Sequence, residues 1–572
     1  MAKRAGDEQL MGSDLTKDRD YLNRRFSEMK TEFSSFRSHY KELTDFIDPR
    51  RGRYFTEDRN KGDKRHKNII NNTGGMALRT ATAGMMAGAV SPSRPWFEWT
   101  TMDKDLMRSH AVKMWLRMFQ RIILLIVAKS NFYNMAPSLI KELLQFGTGC
   151  MTHVDDFDDV ARFYTHTAGS YMIAQNHKLE VNVLGREFQM TISQLVTQFG
   201  LDKVSPAVRA QWDRGNYGQW CTVRHFIELN PYRDEELGQL NSEFLPYRSV
   251  YFEESTSTAD AKQIFLSRKG FKGFPAYVPR WTTAGEDIYG TDCPGMTSLG
   301  DIKQLQQEEK DLAKAKAKQN TPPLQGPPSL RNQPVTNLPG GVTINTMPGQ
   351  GKIEPLYQVD PRVQEILQGI DNIQRRIEKA FFVDIFMAIT EMAGIQPKNE
   401  LQLSQINEER LLQLGPVLEQ VHGEWLSRTV RRVAQQVLDA GIMPDAPEEL
   451  QGKELDVEFV SALAMAQKSV IISGIERTLN FATGMANSGF ENILDKVDAD
   501  KAFEEYAELV GAPARLIVPD EEVREKRRIR EEQMNRAQQL EMGQQAANIA
   551  KMASDAKLGD DNVLSSAVGR DR

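Results

Sequence analysis

Cysteine is nearly absent from this 572-residue chain: Cys150, Cys221 and Cys293 are the only three, and they lie far apart. An odd, scattered set argues against a disulfide framework or a zinc site and points to a reducing compartment. Long apolar runs are missing as well. The most apolar stretch, Met114 to Ala128, is cut by Arg117 and Arg121, which leaves Ile122 to Ala128 as an unbroken run of seven. A membrane helix needs about 20 such residues, so this segment reads as a buried amphipathic helix and no membrane partner is expected. The amino terminus, MAKRAGDEQLMGSD, has no apolar core of the kind a secretory signal carries, so the protein is expected to stay where it is made. A net charge of −6 removes any global basic signature for tight nucleic-acid binding.

Catalytic motifs are equally scarce. Gly351-Lys352 is preceded by the wrong spacing for a phosphate loop and is followed by Ile353. No H-E-x-x-H, G-x-S-x-G or paired C-x-x-C occurs, and the eight histidines are scattered. We therefore expect no enzyme, no catalytic residues, no cofactor and no metal. What remains, 40% hydrophobic and 26% charged residues, is ordinary for a soluble chain of several packed units.

The informative region runs from residue 296 to 387. Met296 to Gln319 is rich in Leu, Lys, Gln, Glu and Ala, all good helix formers, and stops at Pro322 and Pro323. Between Thr321 and Leu356 eight prolines and five glycines exclude a long helix but permit turns and short strands. Asp360 and Pro361 restart a helix whose apolar positions Val363, Ile366, Leu367, Ile370, Ile373, Ile377, Ala380 and Phe381 recur at helical spacing. At ~1.5 Å per residue each arm spans roughly 35 to 40 Å, which predicts an antiparallel pair with a knob at its tip. Its apolar stripe needs neighbours, and a ring of copies of the chain would supply them.

Elsewhere, Leu15 to Phe46 reads as a helix ending at Asp48 and Pro49. The loop from Arg50 to Lys67 holds eight basic against three acidic residues, as a phosphate contact or a solvated loop. Thr73 to Val90 is a run of small residues and Met, including Gly84 and Gly88, suited to close helix packing. Met151 to Thr167 reads as a β-hairpin with an acidic tip; EF-hand spacing is missing, and His153 and His166 read as strand residues rather than metal ligands. The helix from near Ser404 to Ala440 carries Gly415-Pro416, which should kink it, and Gly441 should close it. After Pro519, DEEVREKRRIREEQMNR reads as a self-paired surface helix, with Glu522 to Lys526 and Glu532 to Arg536 at i, i+4.

Several tokens in fixed order then carry a resemblance. Pro279-Arg280-Trp281, Gly285-Glu286, Tyr289-Gly290, Pro294-Gly295-Met296, Leu299, Asp301, Lys303 and Leu305 resemble the stretch leading into the stem of portal proteins, the head-to-tail connecting proteins of short-tailed, podovirus-type bacteriophages. Four more blocks are similar to the same family: Pro49-Arg50-Arg51; Ser91-Pro92-Ser93-Arg94-Pro95-Trp96-Phe97; Arg186 to Thr191 with Gln194-Leu195 and Phe199-Gly200; and Ser461 to Lys468.

The resemblance implies a mainly α portal fold with an α+β wing, long antiparallel stem helices, a Pro/Gly-rich clip and a helical crown. On that reading residues 1–295 are wing, 296–319 the first stem helix, 320–356 the clip and 357–387 the second stem helix. Residues 388–403 are a tunnel loop, 404–495 wing with a kinked helix and following helices, 496–540 crown, and 541–572 a polar, flexible tail. It also implies a homo-oligomer, a dodecameric ring at the capsid vertex of the virion, assembled in the host bacterial cytoplasm. Double-stranded DNA would pass through this ring, and a terminase motor, a tail adaptor, capsid and scaffold proteins would be partners. A different head–tail ring component, an adaptor or gatekeeper, is the alternative, with a packaging enzyme behind it.

Candidate channel residues are Lys303, Lys310, Lys314 and Lys318, which share one face of the first stem helix at 100° per residue, Arg375, Arg376 and Lys379 on the second, and Lys398, Asn399 and Glu400 in the tunnel loop. The Lys stripe reads equally well as bore lining or as a solvated or inter-subunit face. Each arm is close to neutral, and balanced charge suits a conduit, because a strongly basic wall would hold DNA where it should slide. Leu324, Arg331, Asn332 and Lys352 are the candidate docking residues of the clip.

Overall fold

The computed structural model describes residues 2–56, 65–103, 106–156, 160–254, 263–326, 354–355, 363–392, 414–460, 462–487, 496–510, 518 and 520–555. The chain forms two compact units, Met1–Val470 and Ile471–Arg572.

The larger unit opens with α1 (Ala2–Phe46), which buries Leu22, Phe26, Met29, Phe33, Tyr40 and Leu43 along one stripe. It ends before Pro49, where a 3₁₀ turn (Pro49–Gly52) leads into α2 (Arg53–Thr56). The small-residue segment is α3 (Thr73–Ala89), and its glycines serve close approach as expected. A Cβ at Gly84 would stand 2.2 Å from the Cβ of Phe386, and one at Gly74 would stand 2.8 Å from Ile302. Strand β1 (Phe97–Thr101) precedes α4 (His110–Lys129), the amphipathic helix, and α5 (Phe132–Phe146).

β2 (Cys150–Asp156) and β3 (Val160–His166) form the expected hairpin and pair with β9 (Ala276–Tyr277) in a three-stranded sheet. Its tip, 157–159, lies outside the described residues. A five-stranded antiparallel sheet follows chain order: β4 (Tyr171–Gln175), β5 (Val181–Thr191), β6 (Trp220–Leu229), β7 (Tyr247–Glu253) and β8 (Ser267–Phe271). α6 (Ile192–Phe199) and α7 (Pro206–Asp213) fill the β5–β6 connection and build a second core on Ile192, Leu195, Val208 and Val223. α6 starts at a capping box between Thr191 and Gln194, which explains the reciprocal spacing of those two residues. α8 (Glu235–Leu240) lies between β6 and β7.

α9 (Pro294–Asn320) and α10 (Val363–Ala380) then form an antiparallel pair. Asp301 meets Arg376, Gly369 lies against Glu308, and two short strands, β10 (Leu324–Gln325) and β11 (Glu354–Pro355), pair antiparallel beyond the helices. The helices pair antiparallel at 301 with 376 and 308 with 369, and the strands pair antiparallel at 325 with 354. The second arm is not one helix to 387. It breaks at Phe381-Phe382, where Phe382 adopts φ +54, and resumes as α11 (Val383–Met392). Aromatic packing explains the cost of that left-handed residue. Phe381 is fully buried, Phe382 faces Trp281 at 6.4 Å, and Phe386 is driven against Gly84 of α3. Among the described residues α9 spans about 40 Å over 27 residues and α10 about 27 Å over 18. Residues 388–392, read as the start of a loop, are helical, and 393–413 lie outside the described residues.

A helix α12 (414–421) continues through a π segment, His422–Leu426, into α13 (Ser427–Asp439). This π segment, six residues beyond Pro416, is the departure from α geometry that the described residues show. Gly441, at φ +63, closes the helix as expected. β12 (Leu455–Phe459) pairs with β1, and α14 (Ala462–Asn487) leads into the smaller unit. There α15 (Ala499–Val510) and α16 (Asp520–Asp555) are joined by Arg527, which forks onto Asp500 at 2.7 Å. Within α16, Arg528 pairs with Glu525 and Glu532. α16 runs past residue 540, the expected start of a flexible tail, because Ala, Gln and Met sustain a helix as far as Asp555.

Candidate functional site

The segment from Pro279 to Leu305 is the root from which the stem hairpin leaves the larger unit. Pro294 occupies the first turn of α9, where its missing N–H is harmless. Gly295 packs on the main chain of α5: a Cβ there would stand 2.6 Å from the carbonyl oxygen of Gln145. Gly290 meets Gly147, whose φ of +74 turns the chain at the end of α5, and a Cβ on Gly290 would lie 2.1 Å from the Gly147 carbonyl oxygen. Gly290 N–H donates to Thr148 Oγ1 (2.8 Å), and Trp281 N–H donates to Gly147 O (2.8 Å). Tyr289 is buried against Phe33 and Phe36 of α1, and its hydroxyl accepts from Ile173 N–H (3.2 Å); burial pushes that phenol well above its ordinary value.

Arg280 joins this root to the π segment. Its Nε donates to Glu424 Oε1 (3.0 Å), its backbone N–H to Glu424 Oε2 (2.8 Å), and its Nη atoms reach Gln175 Oε1 (3.2 Å) and Leu179 O (2.9 Å). Both side chains are largely buried, so the forked, charge-assisted geometry must offset the loss of water from two ions. Glu424 carried no signal in the sequence: it sits in mid-helix, and its partner lies 144 residues away. The neighbouring His422 stacks on Phe459 at 4.1 Å, and burial lowers it to about 4.

Outward from the root, Ile302, Leu305 and Leu312 of α9 and Ile370, Ile373 and Ile377 of α10 are buried. Arg376 crosses to Asp301 (2.8 Å) and Gln304 (3.4 Å). Lys303 pairs with Glu42 of α1 (2.7 Å) and lies 5.5 Å above the Phe46 ring, so it is tied to the body of the unit and is not grouped with Lys310, Lys314 and Lys318. Those three are exposed on the face of α9 away from α10, and Lys314 meets Asp311 one turn back (3.2 Å). Arg375 pairs with Asp371 of its own helix (2.7 Å), and Lys379 is exposed. Leu324 is 38% exposed on β10. Arg331, Asn332, Lys352, Lys398, Asn399 and Glu400 lie outside the described residues.

The Pro49–Arg51 and Ser91–Phe97 blocks are architectural. Arg51 forms an ion pair with Glu142, a fully buried carboxyl raised by burial and lowered again by that arginine. For Arg51 this replaces the reading as a phosphate contact. Trp96 is buried and stacks on Phe132 and Phe459. His153 bonds the Tyr277 hydroxyl (2.8 Å) and His166 bonds Thr152 (2.9 Å), both as buried strand residues. Among the described residues no group of His, Cys, Asp or Glu is arranged to hold a metal ion, and no helix is long and apolar enough to cross a membrane.

The model of the bacteriophage head to tail connecting protein family matches residues 19–518, a span that includes the root, the stem and every block above. The chain belongs to this head-to-tail connecting family. It is 40% identical over 508 residues to a probable portal protein of Bordetella phage BPP-1, covering 88% of this chain and 90% of that one. It is 39% identical over 514 residues to the portal protein of Salmonella phage epsilon15, covering 89% and 91%. Among solved structures it is similar to a chain from the neck of an empty GTA particle (11% identity, 71% and 86% coverage, TM-score 0.33) and to one from the virion of a native gene transfer agent (11%, 77% and 90%, TM-score 0.34). Those scores are too low to carry an argument. Membership makes this a portal-type protein of the head–tail connection, with a structural rather than an enzymatic role.

Proposed function

We propose that copies of this chain close into a ring of twelve at one capsid vertex, that double-stranded DNA passes through it during packaging and ejection, and that the hairpin tip docks a terminase motor first and a tail adaptor later. One observation carries this reading: the antiparallel hairpin of α9 and α10, buried on one face and polar and exposed on the others. A projection of that kind gains burial from copies of itself, and a head-to-tail contact that closes makes a ring. An adaptor or gatekeeper has no use for so long a stem. Charge supports the conduit. The face of α10 turned from α9 carries Asp371, Arg375, Glu378 and Lys379, near neutrality, which lets a polyanion slide. The Lys310, Lys314 and Lys318 face continues the side on which α1 packs at the root, which favours an outer or inter-subunit role for that stripe. Capsid and scaffold proteins would meet the ring's outer surface in the virion. The tunnel-loop assignment for Lys398, Asn399 and Glu400 and the docking assignment for Leu324, Arg331, Asn332 and Lys352 belong to the same proposal.

Native mass spectrometry of the purified full chain tests it. A closed dodecamer without DNA or nucleotide is expected, and a monomer at micromolar concentration in physiological salt overturns the ring. Replacing 322–355 by a short Gly/Ser turn should spare folding and rings while abolishing motor and tail recruitment, since the segment joins the helices only at their far ends. Rings lacking the segment that still recruit both would refute the docking role.

A further inference from the structure

Several buried or half-buried arginines of the larger unit hold carboxylates, while Arg19 and Arg209 donate to backbone carbonyls. Arg280 holds Glu424, Arg248 holds Glu228 and Asp18, Arg51 holds Glu142, and Arg224 holds Glu187 and Glu254. Arg186 does not follow the pattern. Among the described residues its guanidinium makes no hydrogen bond and no ion pair; it lies 4.8 Å from the centre of the Phe188 ring. Its Nε is buried without an acceptor, while the side chain as a whole keeps part of its surface open to solvent. A ring face attracts a guanidinium but offers no acceptor in the plane of its five N–H groups.

The surroundings repeat the deficit. Strand register places Tyr171, Arg186, His225 and Tyr251 in one row across β4 to β7, and cross-strand neighbours of that kind stand on the same sheet face. His225 stacks flat on Tyr251, with ring centres 3.8 Å apart and planes 7° apart. Its Nε2 bonds Ser249 Oγ at 2.9 Å, and its Nδ1 is buried without a partner. If Nε2 accepts the serine proton, Nδ1 carries hydrogen and is a second unused donor. The phenols of Tyr54, Tyr164 and Tyr251 lie within electrostatic reach of the guanidinium, as does His166. Burial, then the charge of Arg186, holds His166 and His225 well below the usual histidine range, and the groups acting most strongly on Arg186 are phenols and a thiol. Tyr54 and Phe188 also border an open cleft of about 740 Å³.

We propose that the Arg186 cluster is a recognition site for one oxyanion, a carboxylate or a phosphate group, received by the guanidinium fork, His225 Nδ1–H and the neighbouring phenols. A largely desolvated cation without a counter-charge is expensive, and a planar fork beside two neutral imidazoles is the arrangement that an oxyanion satisfies. The group comes either from solution or from an acidic side chain of a second copy of the chain.

The test uses the full chain with inorganic phosphate as probe, against sodium chloride at equal ionic strength. Melting temperature and assembly state are read for the wild type, Arg186→Gln, Arg186→Lys and His225→Phe. A free-anion site predicts a wild-type rise of about 1–3 °C at tenfold the dissociation constant, absent in Arg186→Gln and reduced in Arg186→Lys. A site filled by another copy predicts no phosphate response, with assembly at least tenfold weaker in Arg186→Gln and restored by Arg186→Lys. His225→Phe keeps the stacked ring, so it reports on the donor even if Arg186→Gln fails to fold: a several-fold weaker response, or weaker assembly, is expected. Variants that match the wild type in both phosphate response and assembly overturn the proposal.

Discussion

The root of the stem and its outer length are built from opposite materials. At the root, glycine backbones touch carbonyl oxygens, Tyr289 is sealed between two phenylalanines, and Arg280 and Glu424 form a largely buried pair. Beyond Leu312 the residues of α9 are nearly all exposed, and the ion pairs are local, such as Lys314 with Asp311. The root fixes the direction in which the hairpin leaves the body. The outer stem leaves surface available for whatever it meets.

If that contrast is right, its largest effect appears when Glu424 is replaced by Leu. Arg280 then stays buried without its carboxylate, and the larger unit should lose about 3–5 kcal/mol, measured by denaturant unfolding. A loss under 1 kcal/mol would show that water already relieves the pair.

Acid should attack the same region. The unfolded chain protonates His422 near 6.5, whereas the folded chain holds it down to about 4. The folded state therefore binds fewer protons between those values, and stability falls as pH drops from 6.5 towards 4, by up to roughly 3 kcal/mol from this residue. His153, His166 and His225 are shifted in the same direction and steepen the slope. His422→Phe keeps the stack on Phe459 and should flatten the acid limb; an unchanged slope would remove His422 from the account.

Gly290→Ala comes next. The added methyl collides with a backbone oxygen rather than a flexible side chain, so about 1–3 kcal/mol is expected, readable as a lower melting temperature. Wild-type melting would mean that the two glycine segments separate easily.

The smallest effect belongs to the outer stem. Changing Lys310, Lys314 and Lys318 together to Ala should move the melting temperature by less than about 1 °C, because exposed charges with local or no partners contribute little. A larger shift seen only in assembled rings would place that face at the subunit contact.

Legibility followed the range of the interactions. The hairpin was readable because proline clusters, helix-forming composition and a helical apolar period act within a few residues. The β2–β3 hairpin and the small-residue helix α3 were readable for the same reason. The break at Phe381-Phe382 was not, since three aromatics bury on different surfaces, one of them Gly84 of α3. Lys303 followed the stripe in sequence yet went to Glu42, because α1 passes beside it at the root and nowhere further out. Arg186 stood inside a recognised block without any sign that it lacked a counter-ion; an absent partner has no sequence pattern.

By itself the sequence determined the mainly helical class, the stem hairpin with its Pro/Gly tip, the absence of a phosphate loop and of any long apolar run, and the resemblance to portal proteins. All of these rest on local composition or on fixed short motifs. Only the tertiary structure decided the Arg280–Glu424 clamp, the π segment that presents Glu424, the close passage of Gly147 and Gly290, and the row of Tyr171, Arg186, His225 and Tyr251. Each joins residues far apart in the chain, and a pairing set by packing and strand register is not written in either partner alone.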